Sequence, residues 1–273
     1  MLLITGSKGQ LGTCLSKLLP NAICVDVDTL DITDEVAVKN FVQQNNVDTI
    51  INCAAYTAVD KAEDDISLAK KINVDGVKNL ALSSAKVIHI STDYVFNGTA
   101  CIPYVETDTP NPQSIYGKTK LEGEQALLEN AQTAIVIRTA WLYSEYGNNF
   151  VKTMRKLGAE RENLNVVFDQ VGTPTYAGDL AEAIVKIIPQ LQDGMKEVYH
   201  FSNEGVCSWY DFALQIMKLS NLQCKVLPIE SNQYPTKAVR PSFSVLNKAK
   251  IKKQFNLEIP HWLESLQKCI NQF

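Results

Sequence analysis

The chain opens with a short apolar run, Leu2–Thr5, that ends at once in Gly6-Ser7-Lys8-Gly9-Gln10-Leu11-Gly12 and passes into a helical pattern from Gln10. Strand, three glycines, helix is the arrangement that most narrows what this chain can fold into. The first glycine permits a tight turn, the second lets backbone approach a pyrophosphate, and the third lets the helix pack closely on the strand. The helix then offers free N–H groups and the positive end of its dipole to the phosphates. The turn therefore predicts a dinucleotide site that includes Gly6, Lys8, Gly9, Gln10, Leu11 and Gly12. Ordinary strand–helix turns also use glycine. The position directly after a strand and at the head of a helix favours the dinucleotide.

The pattern then repeats. Ala22–Asp26, Thr49–Ala54, Val87–Ser91 and Ala134–Thr139 are short apolar runs, and Gln10–Leu19, Asp34–Gln44, Ser67–Ser84 and Tyr116–Leu128 are helical patterns between them. Continuous apolar runs suit strands buried on both faces. Alternation of this kind predicts the α/β class, as a Rossmann-type doubly wound parallel sheet. Residues Asn97–Ser114, rich in Gly, Thr, Asn and Pro, form a loop longer than the ~12–15 residues of a plain connector. Beyond Trp141, helices are expected at Asn148–Glu160, Asp179–Gln190, Ser208–Ser220 and Pro260–Gln272, with strands near Glu197–Asn203 and Cys224–Ile229. No flexible linker interrupts them. We therefore expect a dinucleotide-binding domain over residues 1–175 and a smaller, mainly substrate-binding lobe over 176–273, with a discontinuous boundary.

Composition narrows the function classes. With 273 residues, 45% of them apolar, the chain has ample material for a core. A formal charge of −4 gives no basic footprint for nucleic acid. No apolar stretch approaches the ~20 residues that cross a bilayer, and no basic, cleavable leader is seen. The expectation is a cytoplasmic protein with a small-molecule partner and neither nucleic acid nor membrane. The seven cysteines form no CxxC pair and no Cys/His cluster, which predicts mostly buried free thiols and no metal site.

Asp26 ends the second strand about twenty residues beyond Gly6, where a carboxylate accepts a ribose 2′-hydroxyl. That favours NAD, whereas Lys8 in the turn has the reach for a 2′-phosphate or is simply a solvated charge. Cofactor preference stays open on these residues. In Asp31-Ile32-Thr33-Asp34, Asp31 and Ile32 are candidates to border the adenine, while Thr33 and Asp34 also read as a helix cap. Ala54, Ala55 and Tyr56 follow a strand, and the two small residues leave room for a flat cofactor over the sheet edge.

The chemistry rests on a spaced pair. Tyr116 and Lys120 are four apart on a helical pattern and so share one face. Tyrosine, with an ordinary pKa near 10, is a poor acid–base group until a nearby ammonium favours its phenolate. Ser91-Thr92-Asp93 ends a strand upstream, where the Thr92 hydroxyl is placed to hold a carbonyl while Tyr116 exchanges a proton with it. Such a pair alone arises often by chance. After a dinucleotide turn and a hydroxyl at a strand end, it reads as catalytic.

Together these segments resemble the extended short-chain dehydrogenases/reductases, and more narrowly the dTDP-4-dehydrorhamnose reductases. The resemblance runs through Gly9–Gly12, Asn52–Glu63, Ser91–Phe96, Tyr116–Lys120, Arg138–Trp141, Asn148–Phe150, Asp169–Thr175, Tyr234–Thr236 and Arg240-Pro241. It implies hydride transfer from NADPH, with NADH less favoured, to the C4 keto group of dTDP-4-dehydro-β-L-rhamnose. In that family pattern Tyr116 is the proton donor, Lys120 holds the nicotinamide ribose, and Thr92 takes a hydroxyl position that is often serine. Asp93, Trp141 and Arg240 map to the substrate pocket, with core packing the competing role for Trp141 and a surface salt bridge for Arg240. Some relatives form a magnesium-bridged dimer through a carboxylate two residues after the last glycine. Here that residue is Cys14, so no metal is expected, and the chain is expected to be a monomer or a homodimer.

Two rival readings resemble the same pattern. One is another nucleotide-sugar reductase or epimerase. The other is a non-catalytic NADP-binding subunit like the regulatory subunit of methionine adenosyltransferase. Dehydratases place a second acid after the strand-end Asp, and here Tyr94 follows Asp93.

Overall fold

The computed structural model describes residues 1–273. In the first half, β1 (Leu2–Thr5), α1 (Gln10–Leu18), β2 (Ile23–Val25), α2 (Glu35–Gln44) and β3 (Thr49–Asn52) follow one another. Three short helices, α3 (Val59–Ala62), α4 (Ile66–Lys70) and α5 (Val77–Ala81), lead to β4 (Lys86–Thr92), α6 (Ile115–Asn130) and β5 (Ala134–Thr139). Next come β6 (Leu142–Tyr143), α7 (Phe150–Glu160), β7 (Asn163–Val167), β8 (Val171–Gly172), β9 (Thr175–Tyr176) and α8 (Ala177–Ile187). The chain closes through β10 (Lys196–His200), β11 (Cys207–Ser208), α9 (Trp209–Leu219), β12 (Lys225–Ile229), α10 (Ala249–Phe255) and α11 (Trp262–Ile270).

Six strands form one parallel sheet in the order β2-β1-β3-β4-β5-β10. Strand order reverses between β1 and β3, the switch point at which open α/β sheets leave a crevice beyond their carboxyl ends. Adjacent residues on each strand point to opposite faces. Ile4, Ile51, Ile88 and Ile137 enter one apolar core with α8 and α10, while Leu3, Ile50, Val87 and Val136 enter another with α2, α5 and α6. The doubly wound sheet expected from the sequence is thus present, with a core on each face.

A third core belongs to a second lobe. Val151 and Met154 of α7, Leu164 of β7, Phe212 and Ile216 of α9, and Leu266 of α11 pack together there. The lobes interleave along the chain. Both α7 and β7 precede residue 176 yet build the second lobe, whereas α8 and β10 follow it yet complete the sheet. No helix is long and apolar enough to cross a membrane.

Two local departures bear on the site. The single helix expected over Ser67–Ser84 is interrupted by a π-helical turn at Lys71–Gly76. There Gly123 of α6 lies so close that a Cβ would collide with the Asn73 carbonyl. The turn also directs the buried Asn73 amide onto the Tyr56 backbone and the Thr119 hydroxyl. Four of the thiols (Cys14, Cys207, Cys224 and Cys269) are buried, Cys53 is half-buried, and Cys24 and Cys101 are exposed.

Candidate active site

A cavity of about 1020 Å³ runs along the carboxyl ends of β1, β3, β4 and β5. Of the residues singled out in the sequence, all but Lys8 and Tyr56 line it.

At one end lies the glycine turn. Gly6 has φ +63°, and a Cβ there would lie 2.6 Å from the Ala54 backbone nitrogen. A Cβ on Gly12 would collide with the Gly6 carbonyl, so the turn closes only without side chains. Helix α1 starts after Gly9 with no side-chain cap, leaving its first N–H groups facing the cavity that Gln10, Leu11 and Gly12 line. The Gln10 side chain turns to the second lobe, where its Oε1 accepts from Asn149 Nδ2 (2.9 Å) and Ser144 Oγ (3.1 Å).

Asp26 accepts the Lys8 and Val27 backbone N–H groups at 3.1 and 2.9 Å. The Lys8 ammonium is paired with Asp28 at 2.5 Å on the exposed rim, and that bond raises its pKa. Asp31 accepts from the Thr33 N–H at 2.9 Å, which with the Thr33 hydroxyl lowers its pKa. The cap of α2 is Asp34, which takes the Ala37 N–H at 2.9 Å. Asp31 and Ile32 still border the cavity. Tyr56 is placed differently, since its hydroxyl reaches Asp65 at 3.3 Å and its backbone is held by Asn73.

Toward the centre, Thr92 donates to Asp93 Oδ1 at 3.0 Å and accepts the Tyr94 N–H at 3.2 Å. Asp93 is buried, its Oδ2 has no hydrogen-bond partner, and burial lifts its pKa to about 6. Ser244 Oγ, also unpartnered, lies close enough to oppose that shift without forming a hydrogen bond. Helix α6 begins at the Ser114 cap, which accepts the Gly117 N–H at 3.1 Å. That start presents Tyr116 and Lys120 to the cavity. Tyr116 packs edge-on to Tyr94 at 5.5 Å. Burial raises its pKa, the Thr92 hydroxyl opposes the rise, and Asp93 and Tyr94 add to it. The sequence led us to expect Lys120 to lower it. Instead the Lys120 Nζ donates to the Ile90 carbonyl at 2.6 Å and lies 3.2 Å from His89 Nε2. Burial lowers Lys120 to about 8, against the pull of Glu124 and Cys53.

At the far end, Trp141 adopts φ +49°, a left-handed conformation that is uncommon for a bulky side chain. Its ring stacks on Trp209 at 3.6 Å, and both rings line the cavity. Arg240 fills both roles weighed for it. It pairs with Asp60 at 2.6 Å, donates to the Tyr94 hydroxyl at 2.9 Å, and borders the cavity. Sequence reading missed Trp209, because one tryptophan on an amphipathic helix looks like core. It also missed His89, which sits inside an apolar strand with no spacing signal.

Comparison with known proteins adds the family. The model of the RmlD substrate binding domain matches residues 1–273. A dTDP-4-dehydrorhamnose reductase of Aggregatibacter actinomycetemcomitans is 42% identical, with 97% of each chain covered. The crystal structure of a dTDP-4-dehydrorhamnose reductase from Clostridium acetobutylicum superposes with a TM-score of 0.95 at 45% identity, over 99% of this chain and 98% of that one. The enzyme of the same name from Bacillus anthracis, solved in complex with NADP, gives 0.96 at 41% identity over 100% and 99%.

Proposed function

The chain belongs to the RmlD substrate binding domain family, and from that premise we propose that it reduces the C4 keto group of dTDP-4-dehydro-β-L-rhamnose to dTDP-β-L-rhamnose. It is an oxidoreductase of nucleotide-sugar metabolism, and its relatives carry that reductase's name. The observation that carries the reading is that Thr92, Tyr116 and Lys120 share one cavity with the uncapped start of α1.

NADPH is the cofactor, and when bound it supplies the hydride. The glycine turn and the first N–H groups of α1 fit its pyrophosphate, because a Cβ on Gly6 or Gly12 would fill the cradle. Asp26, Asp31, Ile32, Ala54 and Ala55 would border the adenosine half, and Lys120 the nicotinamide ribose. Lys8, once released from Asp28, has the charge for a 2′-phosphate. Thr92 orients the substrate carbonyl, and Tyr116 delivers the proton to its oxygen. Burial keeps Tyr116 protonated, the form a donor needs, but also makes it a weaker acid, a rise that the Thr92 hydroxyl opposes. Asp93 and the Trp141–Trp209 stack suit a sugar, one by hydrogen bonding and the other by covering its face. Arg240 suits the diphosphate. These groups come mainly from the second lobe and from the sheet edge facing it, so we assign that lobe to the substrate.

The magnesium-bridged dimer of some relatives does not fit this chain. Cys14 is buried, and its thiol is pushed up to about 12 by burial, so it offers neither a hard oxygen nor a thiolate. We propose a monomer or a metal-independent homodimer. The cytoplasm, where reduced nicotinamide and nucleotide sugars are held, is the compartment that goes with this reaction.

The test is oxidation of NADPH by the purified protein with dTDP-4-dehydro-L-rhamnose generated in situ. The expected result is one NADPH consumed per dTDP-rhamnose formed. Bound NADPH without turnover would overturn the reductase and favour a binding subunit.

A further inference from the structure

Four buried polar side chains form a line at the floor of the cavity, which Thr5 and Lys120 reach: Thr5, Asn52, His89 and Lys120, none more than 1% exposed. Their hydrogen bonds fix one another's protons. Asn52 Oδ1 lies 3.2 Å from the Ala54 backbone nitrogen and 2.7 Å from the Thr5 hydroxyl. A backbone N–H only donates, so the atom facing it is the amide oxygen. The amide nitrogen is then the atom 2.9 Å from His89 Nδ1. An amide NH₂ also only donates, and Nδ1 must therefore present its lone pair. The single imidazole proton is left on Nε2. A doubly protonated ring is excluded by the same contact, and burial independently pushes the His89 pKa well below its ordinary value.

The Nε2–H faces Lys120 Nζ at 3.2 Å, while Nζ donates to the Ile90 carbonyl at 2.6 Å. An ammonium has three donors and no lone pair, and here it would set donor against donor at a separation of 3.2 Å, too short for anything to bridge. We infer that His89 is a positioning residue whose Nε2–H holds Lys120 as a neutral amine in the protein without cofactor. The amine then gives one N–H to Ile90, its lone pair to His89, and keeps one N–H free.

The charged surroundings agree. Glu124, one turn further along α6, is the acid whose charge favours the ammonium, but Arg138 of β5 clamps it through both carboxylate oxygens at 2.7–3.1 Å, and the Ser91 hydroxyl also binds it. Cys53 after β3 is held as a thiol, pushed up to about 12 by burial. Burial lowers Lys120 only to about 8, which brings the amine within reach near neutral pH, and the donor facing it from His89 tips the balance to the uncharged form. The inference deepens the proposed reaction, on which its catalytic meaning rests. Beside an uncharged lysine, Tyr116 remains a phenol, the form that donates a proton to a carbonyl oxygen. A proton arriving on Lys120 requires Nζ to leave His89.

The test needs no turnover, so it fails or succeeds separately from the reductase assignment. Nitrogen-15 NMR of the cofactor-free protein reads the tautomers of its three histidines, with His89 assigned by loss of its signal in His89→Gln. The expected form is Nε2–H at neutral pH. An Nδ1–H tautomer or an imidazolium would overturn the inference. Asn52→Asp supplies a second reading. It keeps acceptors for Ala54 and Thr5 but turns an acceptor toward His89, moving the imidazole proton to Nδ1 and a lone pair toward Lys120. The Lys120 titration midpoint, followed by NMR and assigned with Lys120→Met, should rise by about one pH unit or more. An unchanged midpoint in the folded variant would also overturn it. The wild-type tautomer decides the matter if that variant does not fold.

Discussion

Tyr116 and Lys8 carry the sharpest consequences at the scale of single residues. Removing the phenolic hydroxyl in Tyr116→Phe leaves the ring against Tyr94 but no proton to donate. We expect kcat to fall by about 10²–10⁴, the usual contribution of a positioned acid, with NADPH affinity nearly intact. Steady-state kinetics and a fluorescence titration of NADPH measure the two effects, and wild-type turnover would remove Tyr116 from the mechanism. Lys8→Ala should weaken NADPH by about tenfold, the scale of one charge-assisted contact to a phosphate, and leave NADH unchanged. Equal losses for both cofactors would mean that Lys8 serves only the rim with Asp28. Trp141 shows what a sequence conceals at this scale. Its identity is plain, but neither its left-handed φ of +49° nor its stack with Trp209, sixty-eight residues later in the chain, leaves a mark on the local sequence.

Among the elements, the π-helical turn and α6 form one unit. Asn73 clamps Tyr56 and Thr119, and Gly123 lets α6 close onto the Asn73 carbonyl. The helix pressed there is the one bearing Tyr116 and Lys120. Gly123→Ala forces a methyl group into that carbonyl, and overpacking of this kind costs about 1–3 kcal/mol. The expected outcome is a melting temperature lower by several degrees together with a reduced kcat, checked by calorimetry and the NADPH assay. A variant as stable and active as wild type would show that the two helices do not need this approach. The major strands were legible in the sequence because burial on both faces makes them unbroken apolar runs. The π turn was not, since it shifts hydrogen-bond register without changing hydropathy. The two-residue strands β6, β8, β9 and β11 are too short for any period to show. Helix α10 was hidden by its lysines, though Ile251 and Phe255, four apart, are both buried. The glycine turn and the Tyr–Lys pair were legible because spacing carries their chemistry. His89 was not, because its role comes from neighbours on β3 and α6.

For the molecule as a whole, stability is tied to pH through buried groups. Burial, aided by Arg138, depresses His200 from 6.5 to about 3. The unfolded chain binds that proton below pH 6.5 and the native protein does not. His200 therefore contributes stability that is complete above 6.5 and is lost as pH falls toward 3, at up to about 1.4 kcal/mol per pH unit. Asp93, raised from 3.8 to about 6, has the opposite sign: its contribution is complete below 3.8 and lost as pH rises through 6. His200→Gln should leave a protein whose stability declines less steeply as pH is lowered from 6.5, as measured by urea denaturation. Parallel declines in variant and wild type would refute the assignment. The interleaving of the lobes has a further consequence, for synthesis. Strand β5 is complete at Thr139, but its outer neighbour β10 ends at His200, and α8, which covers Ile135 and Ile137, lies between. A ribosome making the chain from its N-terminus must therefore release some sixty residues, most of the second lobe's first segment among them, while an apolar strand edge waits uncovered. The nascent protein is most exposed to mispairing in that interval, and the sheet is sealed only when β10 emerges.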